Sequence, residues 1–123
     1  MNLQLSLKMQ WFELTKSGVK TEDYRELNEY WCNRLIYLCR EDMTFSEFVK
    51  YVNGKQVNQY YADHFAFKTF TTNTMTLGYP KSTDSDRILK YEHAGVEIRE
   101  GNPAWGAEEG KLYFVIKHGN LIK

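Results

Sequence analysis

Residues 3–18 read Leu3-Gln4-Leu5-Ser6-Leu7-Lys8-Met9-Gln10-Trp11-Phe12-Glu13-Leu14-Thr15-Lys16-Ser17-Gly18, and two periods follow one another in this run. Leu3, Leu5 and Leu7 alternate with Gln4, Ser6 and Lys8, the two-residue period of a half-buried strand. From Met9 to Ser17 the spacing lengthens. Met9 and Phe12 fall on one side with charged Glu13 and Lys16 interspersed, which predicts a short helix. Gly18 supplies its C-terminal stop. The charged and aromatic residues from Lys20 to Glu26 then predict a second strand, so the chain opens β-α-β.

Further along, Asn28 is placed to cap a helix that begins at Glu29, where an acid in the first turn suits the helix dipole. Cys32, Leu35, Ile36 and Cys39 recur at i, i+3, i+4 and i+7, which carries that helix to residue 39. Thr44 and Glu47 form an S/T-x-x-E capping box ahead of Phe45, Phe48, Val49 and Val52, and Asn53-Gly54 ends this helix. His64 to Thr71 reads as a strand with Phe65 and Phe67 on one face. The Thr-, Ser-, Asn- and Asp-rich stretch from Thr71 to Asp86, with Gly78 and Pro80, reads as a loop.

Strand character resumes from Arg87 to His93, and Ala94-Gly95 suggests a bulge or bend before Val96 and Ile98. A turn through Gly101, Asn102 and Pro103 leads to a last strand over Leu112 to Lys117. Strands and helices in this order predict an α+β class: a mixed sheet or barrel with flanking helices.

The 123 residues suffice for one domain, and no repeat or linker divides them. Nine Tyr, seven Phe and three Trp supply bulk for a core. Lys and Arg total 16 and Asp and Glu total 16, so any nucleic-acid contact must be local rather than held by bulk charge. No apolar run reaches the length of a bilayer span, and the alternating N-terminus is unlike a signal peptide. A cytoplasmic protein without membrane contact is expected.

Cys32 and Cys39, if helical, lie about 10 Å apart along the axis. A disulfide needs Cα atoms within roughly 7 Å, so two core-facing free thiols are expected. His64, His93 and His118 are scattered, no C-x-x-C or H-x-x-x-H spacing occurs, and no metal or cofactor is called for. No P-loop, G-x-G-x-x-G or G-x-S-x-G motif is present. The adjacent acids Glu108 and Glu109 carry no spacing information.

Ser17-Gly18-Val19-Lys20-Thr21-Glu22-Asp23-Tyr24-Arg25 resembles the G-x-K-x-x-E-x-R signature of ASCH domains. Gly18, Lys20 and Arg25 match, and Asp23 stands in place of the Glu. Glu26 to Leu35 is similar to the E-x-x-x-Y-W-x-x-R-L stretch of small phage and bacterial members. Pro103-Ala104-Trp105-Gly106-Ala107 with Tyr113-Phe114-Val115-Ile116-Lys117 resembles their closing segment. These likenesses cover roughly residues 3–35 and 95–119, and the stretch at about 40–62 reads as a helical insertion.

The resemblance implies a single PUA-like mixed β-barrel over residues 1–123, with a ligand cleft beside the signature that binds RNA or a nucleotide-like ligand. It also implies an alternative. A small bacterial relative removes the acetyl group from N4-acetylcytidine with a Lys, a Thr and a Glu. The Lys carries over onto Lys20, and Asp23 stands where the Thr would fall.

Lys20 and Asp23 are the catalytic candidates if the protein is an enzyme. A lysine in a desolvated cleft can act as a base or bind a carbonyl, and the plainer reading is a solvated surface lysine. Asp23 and Arg25 share a face of a regular strand, so Arg25 either pairs with Asp23 or presents its fork to a phosphate. Strict alternation puts Lys20 on the opposite face, and it joins Asp23 only if the chain there is still in the turn. Tyr24, Tyr30, Trp31 and Trp105 are candidates for base stacking, with core packing as the ordinary alternative. Arg34 lies one helical turn from Tyr30 and is a further phosphate candidate. A protein-interaction module is a third reading, which a large exposed apolar patch would support.

Overall fold

The computed structural model describes residues 1–39, 42–53, 65–81 and 83–122. Seven strands and three α-helices follow one another among them: β1 (Asn2–Leu7), α1 (Met9–Lys16), β2 (Glu22–Arg25), α2 (Glu29–Leu35), β3 (Ile36–Leu38), α3 (Phe45–Asn53), β4 (Phe65–Phe67), β5 (Thr72–Leu77), β6 (Ile88–Glu100) and β7 (Leu112–Leu121). Five strands form one sheet in the order β1-β5-β6-β7-β2, and β3 and β4 pair as a separate ribbon. The expected α+β class is what the chain adopts. Two compact units can be distinguished, residues 1–23, 69–95 and 116–123 in the first and 24–68 and 96–115 in the second.

In the first unit, the alternation of β1 places Leu3, Leu5 and Leu7 inside while Asn2, Gln4 and Ser6 face out. Each such leucine contributes roughly 1.5–3 kcal/mol on burial. β1 runs parallel to β5, with Leu3 beside Asn73 and Leu5 beside Met75. β5 in turn runs antiparallel to β6, where Asn73 faces Tyr91 and Met75 faces Leu89. Phe12 of α1, Phe70 and Ile116 complete this core. Gly18 adopts φ +84°, the left-handed conformation that ends α1, with its N–H bonded to the carbonyl of Thr15 at 3.1 Å.

Residues 72–77 depart from the expected loop: they form β5, bonded on both sides. Composition misleads here because Asn73 and Thr76 are buried polar residues whose side chains find partners inside the protein. Threonine also suits a pleated strand through its branched Cβ. Thr71 and, among the described residues, 78–81 and 83–84 keep the loop character read for the segment, and Ser85–Arg87 form a 3-10 turn. Residues 88–100 form one strand, in which Gly95 takes a positive φ at the expected bend.

In the second unit, the Asn28 side chain accepts from the N–H of Trp31 at 2.9 Å and so caps α2 as expected. The helix stops at Leu35, however, not at residue 39. Ile36 is already extended, and Ile36, Tyr37 and Leu38 pair with Phe67, Ala66 and Phe65. β-branched and aromatic residues here gain a non-local strand partner, which outweighs continuing the helical period. Cys32 is therefore buried, whereas Cys39 is exposed and outside the helix, contrary to the expected pair of core thiols.

The capping box of α3 forms: the N–H of Glu47 donates to Oγ1 of Thr44 at 3.1 Å, and Glu47 Oε1 accepts from Thr44. Phe48 and Val52 of α3 are buried, and the Phe48 ring meets Phe65 edge-on at 4.9 Å. Gly54 and His64 lie outside the described residues, as does part of the segment read as an insertion.

Candidate functional site

The first unit holds a cluster of polar side chains withdrawn from water. Its origin is the turn after α1. The N–H of Lys20 bonds back to the Leu14 carbonyl at 3.0 Å, so Lys20 is still in the turn and its side chain folds inward. Its ammonium donates to the carbonyl of Glu22 at 2.7 Å and to Oδ1 of Asp23 at 3.1 Å. The two side chains are only 1% and 8% exposed. The two catalytic candidates are thus brought together, and Lys20 is no solvated surface lysine.

The N–H of His118, on β7, bonds to the carbonyl of Thr21 at 3.0 Å and sets the imidazole beside the segment 20–23. Asn73, fully buried on β5, lies between two histidines. Its Nδ2 approaches His118 Nδ1 at 2.8 Å and the Lys117 carbonyl at 3.1 Å, and its Oδ1 lies 2.7 Å from His93 Nδ1. Phe70 packs on the His93 ring at 5.3 Å and Tyr91 on the His118 ring at 5.6 Å. The Tyr91 hydroxyl donates to the carbonyl of Thr15 at 2.7 Å, tying this wall to the end of α1.

Burial dominates the charge state of both imidazoles, because a low-polarity surrounding disfavours the cation. It pushes His118 down to about 4. The opposing pulls of Asp23 and Glu22 offset Lys20 and His93 in part. His93 is lowered by burial and by the Lys117 ammonium. Burial likewise raises the Tyr91 phenol. The cluster therefore combines one buried ion pair with two imidazoles that are neutral at pH 7.

The second unit gathers four of the other candidates, Tyr30 exposed and Arg25, Trp31 and Arg34 half-buried. Trp31, on α2, has the guanidinium of Arg34 at 4.9 Å and that of Arg25 at 5.0 Å from its ring centroid. Tyr30 meets Trp31 edge-on at 5.1 Å, and its hydroxyl accepts from Arg34 at 3.2 Å. Helical spacing brings Tyr30 and Arg34 together, as residues four apart share a face. Tyr30 is 61% exposed, so its ring is open to a planar ligand.

Tyr24 takes the ordinary role of packing. Its ring lies 5.7 Å from that of Tyr113 against Ala107 and Val115, and its hydroxyl accepts from the N–H of Asn102 at 2.8 Å. Trp105 closes a 3-10 turn over Pro103–Trp105 and is half-buried there.

Sequence reasoning passed over Asn73, His93 and His118. Asn73 was hidden by the loop reading of 71–86, although Asn73 and Met75 share the alternation that marks a strand face. The histidines are 25 residues apart, and only the pairing of strands unites them. No cluster of three His, Cys, Asp or Glu able to hold a metal ion occurs among the described residues. No helix among them is long and apolar enough to cross a membrane. In comparisons with known proteins, no protein family, no curated protein and no solved structure matches this chain.

Proposed function

We propose that the chain is an ASCH-type domain of PUA-like barrel fold that binds RNA or a nucleotide-like ligand. The observation that carries this reading is the group in which half-buried Arg25, Trp31 and Arg34 surround the exposed ring of Tyr30. Guanidinium forks suit phosphate oxygens, and an exposed aromatic ring accepts any base by stacking. With 16 basic and 16 acidic residues, a local group of this kind is what nucleic-acid binding would require. The expected affinity for single-stranded RNA is weak and falls as salt rises.

The test is a fluorescence titration with single-stranded RNA at several salt concentrations, for the native protein and for Arg25→Ala and Arg34→Ala. Each variant should bind more weakly, with the salt slope reduced by about 0.7 for each phosphate that is no longer neutralised. Affinity and slope unchanged in both variants would remove the reading. Lys20→Ala is a poor probe of RNA binding, since Lys20 is buried against Asp23.

A second reading has its own support in the Lys20–Asp23 pair. A small amidohydrolase acting on an acylated nucleoside would use Lys20 as the reacting or activating group, with Asp23 assisting. Water adds across the amide C–N bond, the acyl group leaves as a carboxylate, and the amine nitrogen takes the proton. Chromatography of N4-acetylcytidine incubated with the protein tests it. Release of cytidine that survives in Lys20→Ala, checked to be folded, would count against Lys20 as the centre of the reaction.

A further inference from the structure

The orientation of the Asn73 amide follows from its partners. The Lys117 carbonyl can only accept, so the side-chain nitrogen of Asn73 must be the atom that faces it at 3.1 Å. The same NH2 group has its second hydrogen directed to His118 Nδ1 at 2.8 Å. That ring nitrogen is therefore an acceptor, and the proton of neutral His118 sits on Nε2. On the other side, Oδ1 of Asn73 can only accept. His93 Nδ1, 2.7 Å away, is then the protonated nitrogen of its ring. One amide thus imposes opposite tautomers on two histidines.

The consequence falls on His118. Its Nε2–H is buried and has no hydrogen-bond partner among the described residues. A donor left unpaired away from water is costly, and native proteins keep few of them. This one is aimed by a buried residue, Asn73, and lies in the surroundings of Lys20, Asp23 and Glu22, whose charges all act on the ring.

We propose that His118 Nε2–H is a recognition donor for the carbonyl oxygen of an uncharged planar amide or lactam, with Asn73 as the residue that positions it. The inference rests on the reading in which the Lys20–Asp23 pair borders a ligand site, and it adds to that site a donor the pair does not supply. The charges favour an uncharged ligand. Among the described residues whose charges act on the two rings, the ammonium groups of Lys20 and Lys117 are matched by the carboxylates of Asp23 and Glu22. A ring that stays neutral suits a neutral oxygen acceptor.

The experiment is nitrogen-15 NMR on histidine-labelled full-length protein at pH 7, with cytosine as the carbonyl-bearing probe and 4-aminopyrimidine, the same ring without the carbonyl, as its comparator. The free protein should show His118 as the Nε2–H tautomer and His93 as the Nδ1–H tautomer. Cytosine should then shift the His118 Nε2 signal saturably, and 4-aminopyrimidine should bind at least about tenfold more weakly. In Asn73→Leu, with a fold checked by its amide spectrum, His118 should populate both tautomers and lose the preference for cytosine.

A different tautomer at His118, no saturable shift with cytosine, or equal responses to the two probes would overturn the inference and leave that nitrogen facing a trapped water only. The hydrolytic reading fails separately. If N4-acetylcytidine is not turned over while cytosine still moves the Nε2 signal, that reaction falls and the recognition donor stands.

Discussion

The ammonium of Lys20 lies 3.1 Å from Oδ1 of Asp23, with both side chains almost wholly out of solvent. Removing one member of such a pair leaves the other charge buried without its partner, whereas replacing both by apolar groups does not. Lys20→Ala should lose on the order of 3–5 kcal/mol in urea unfolding. The double variant Lys20→Met/Asp23→Leu should be considerably more stable than the sum of the two single changes. Additive losses would show that the two groups do not act as a pair.

A second prediction concerns acid. His118 is held down to about 4 by burial, against an ordinary value near 6.5, and His93 is also lowered. The unfolded chain then takes up protons before the folded one does. Stability is therefore at its full value above pH 6.5, declines as pH falls below that, and has lost this contribution below about pH 4. For His118 the loss is on the order of 3 kcal/mol. Urea midpoints measured from pH 7 to pH 4 should fall, and His118→Phe should flatten part of that slope.

The close approach of Gly101 to Tyr24 gives a third. A Cβ at position 101 would meet the Tyr24 ring at 2.7 Å and the Ala107 Cβ at 2.7 Å, both too close for real atoms. Tyr24 is itself held by the Asn102 N–H and by Tyr113, so it has little room to yield. Gly101→Ala should cost about 1–3 kcal/mol by thermal or denaturant unfolding. Gly18→Ala meets no neighbour within 4 Å and is strained only by its positive φ. It should cost about 1 kcal/mol.

The cysteines give a fourth. Burial, and then the charge of Glu29, push the Cys32 thiol up to about 12, so it carries almost no thiolate at neutral pH. Cys39 is exposed. A thiol reagent at pH 7.5 should therefore modify Cys39 in the native protein and reach Cys32 only after denaturant is added. Rapid native labelling of both would contradict the burial of Cys32.

Local physics made much of this molecule legible in the sequence. The alternating leucines of β1, the stop at Gly18, the Asn28 cap and the Thr44–Glu47 box depend on neighbours within a few residues, and each forms as read. The grouping of Tyr30 and Arg34 is equally local, set by one turn of helix. The sequence alone also determined the neutral charge balance, which limits any nucleic-acid contact to a local surface.

Partners distant in the chain decided the rest. Residues 36–38 follow a helical period in sequence, yet they are drawn into a strand by residues 65–67. Residues 72–77 look like a solvated loop, yet β1 and β6 on either side make them a strand of the five-stranded sheet. The Asn73–His93–His118 cluster arises from that same pairing. Its members belong to three different strands, and the Asn73 amide tolerates burial because the other two strands supply its hydrogen bonds. Periodicity records which face of its own element a residue occupies. It holds no record of which other strand will lie alongside, and that adjacency is what built the cluster.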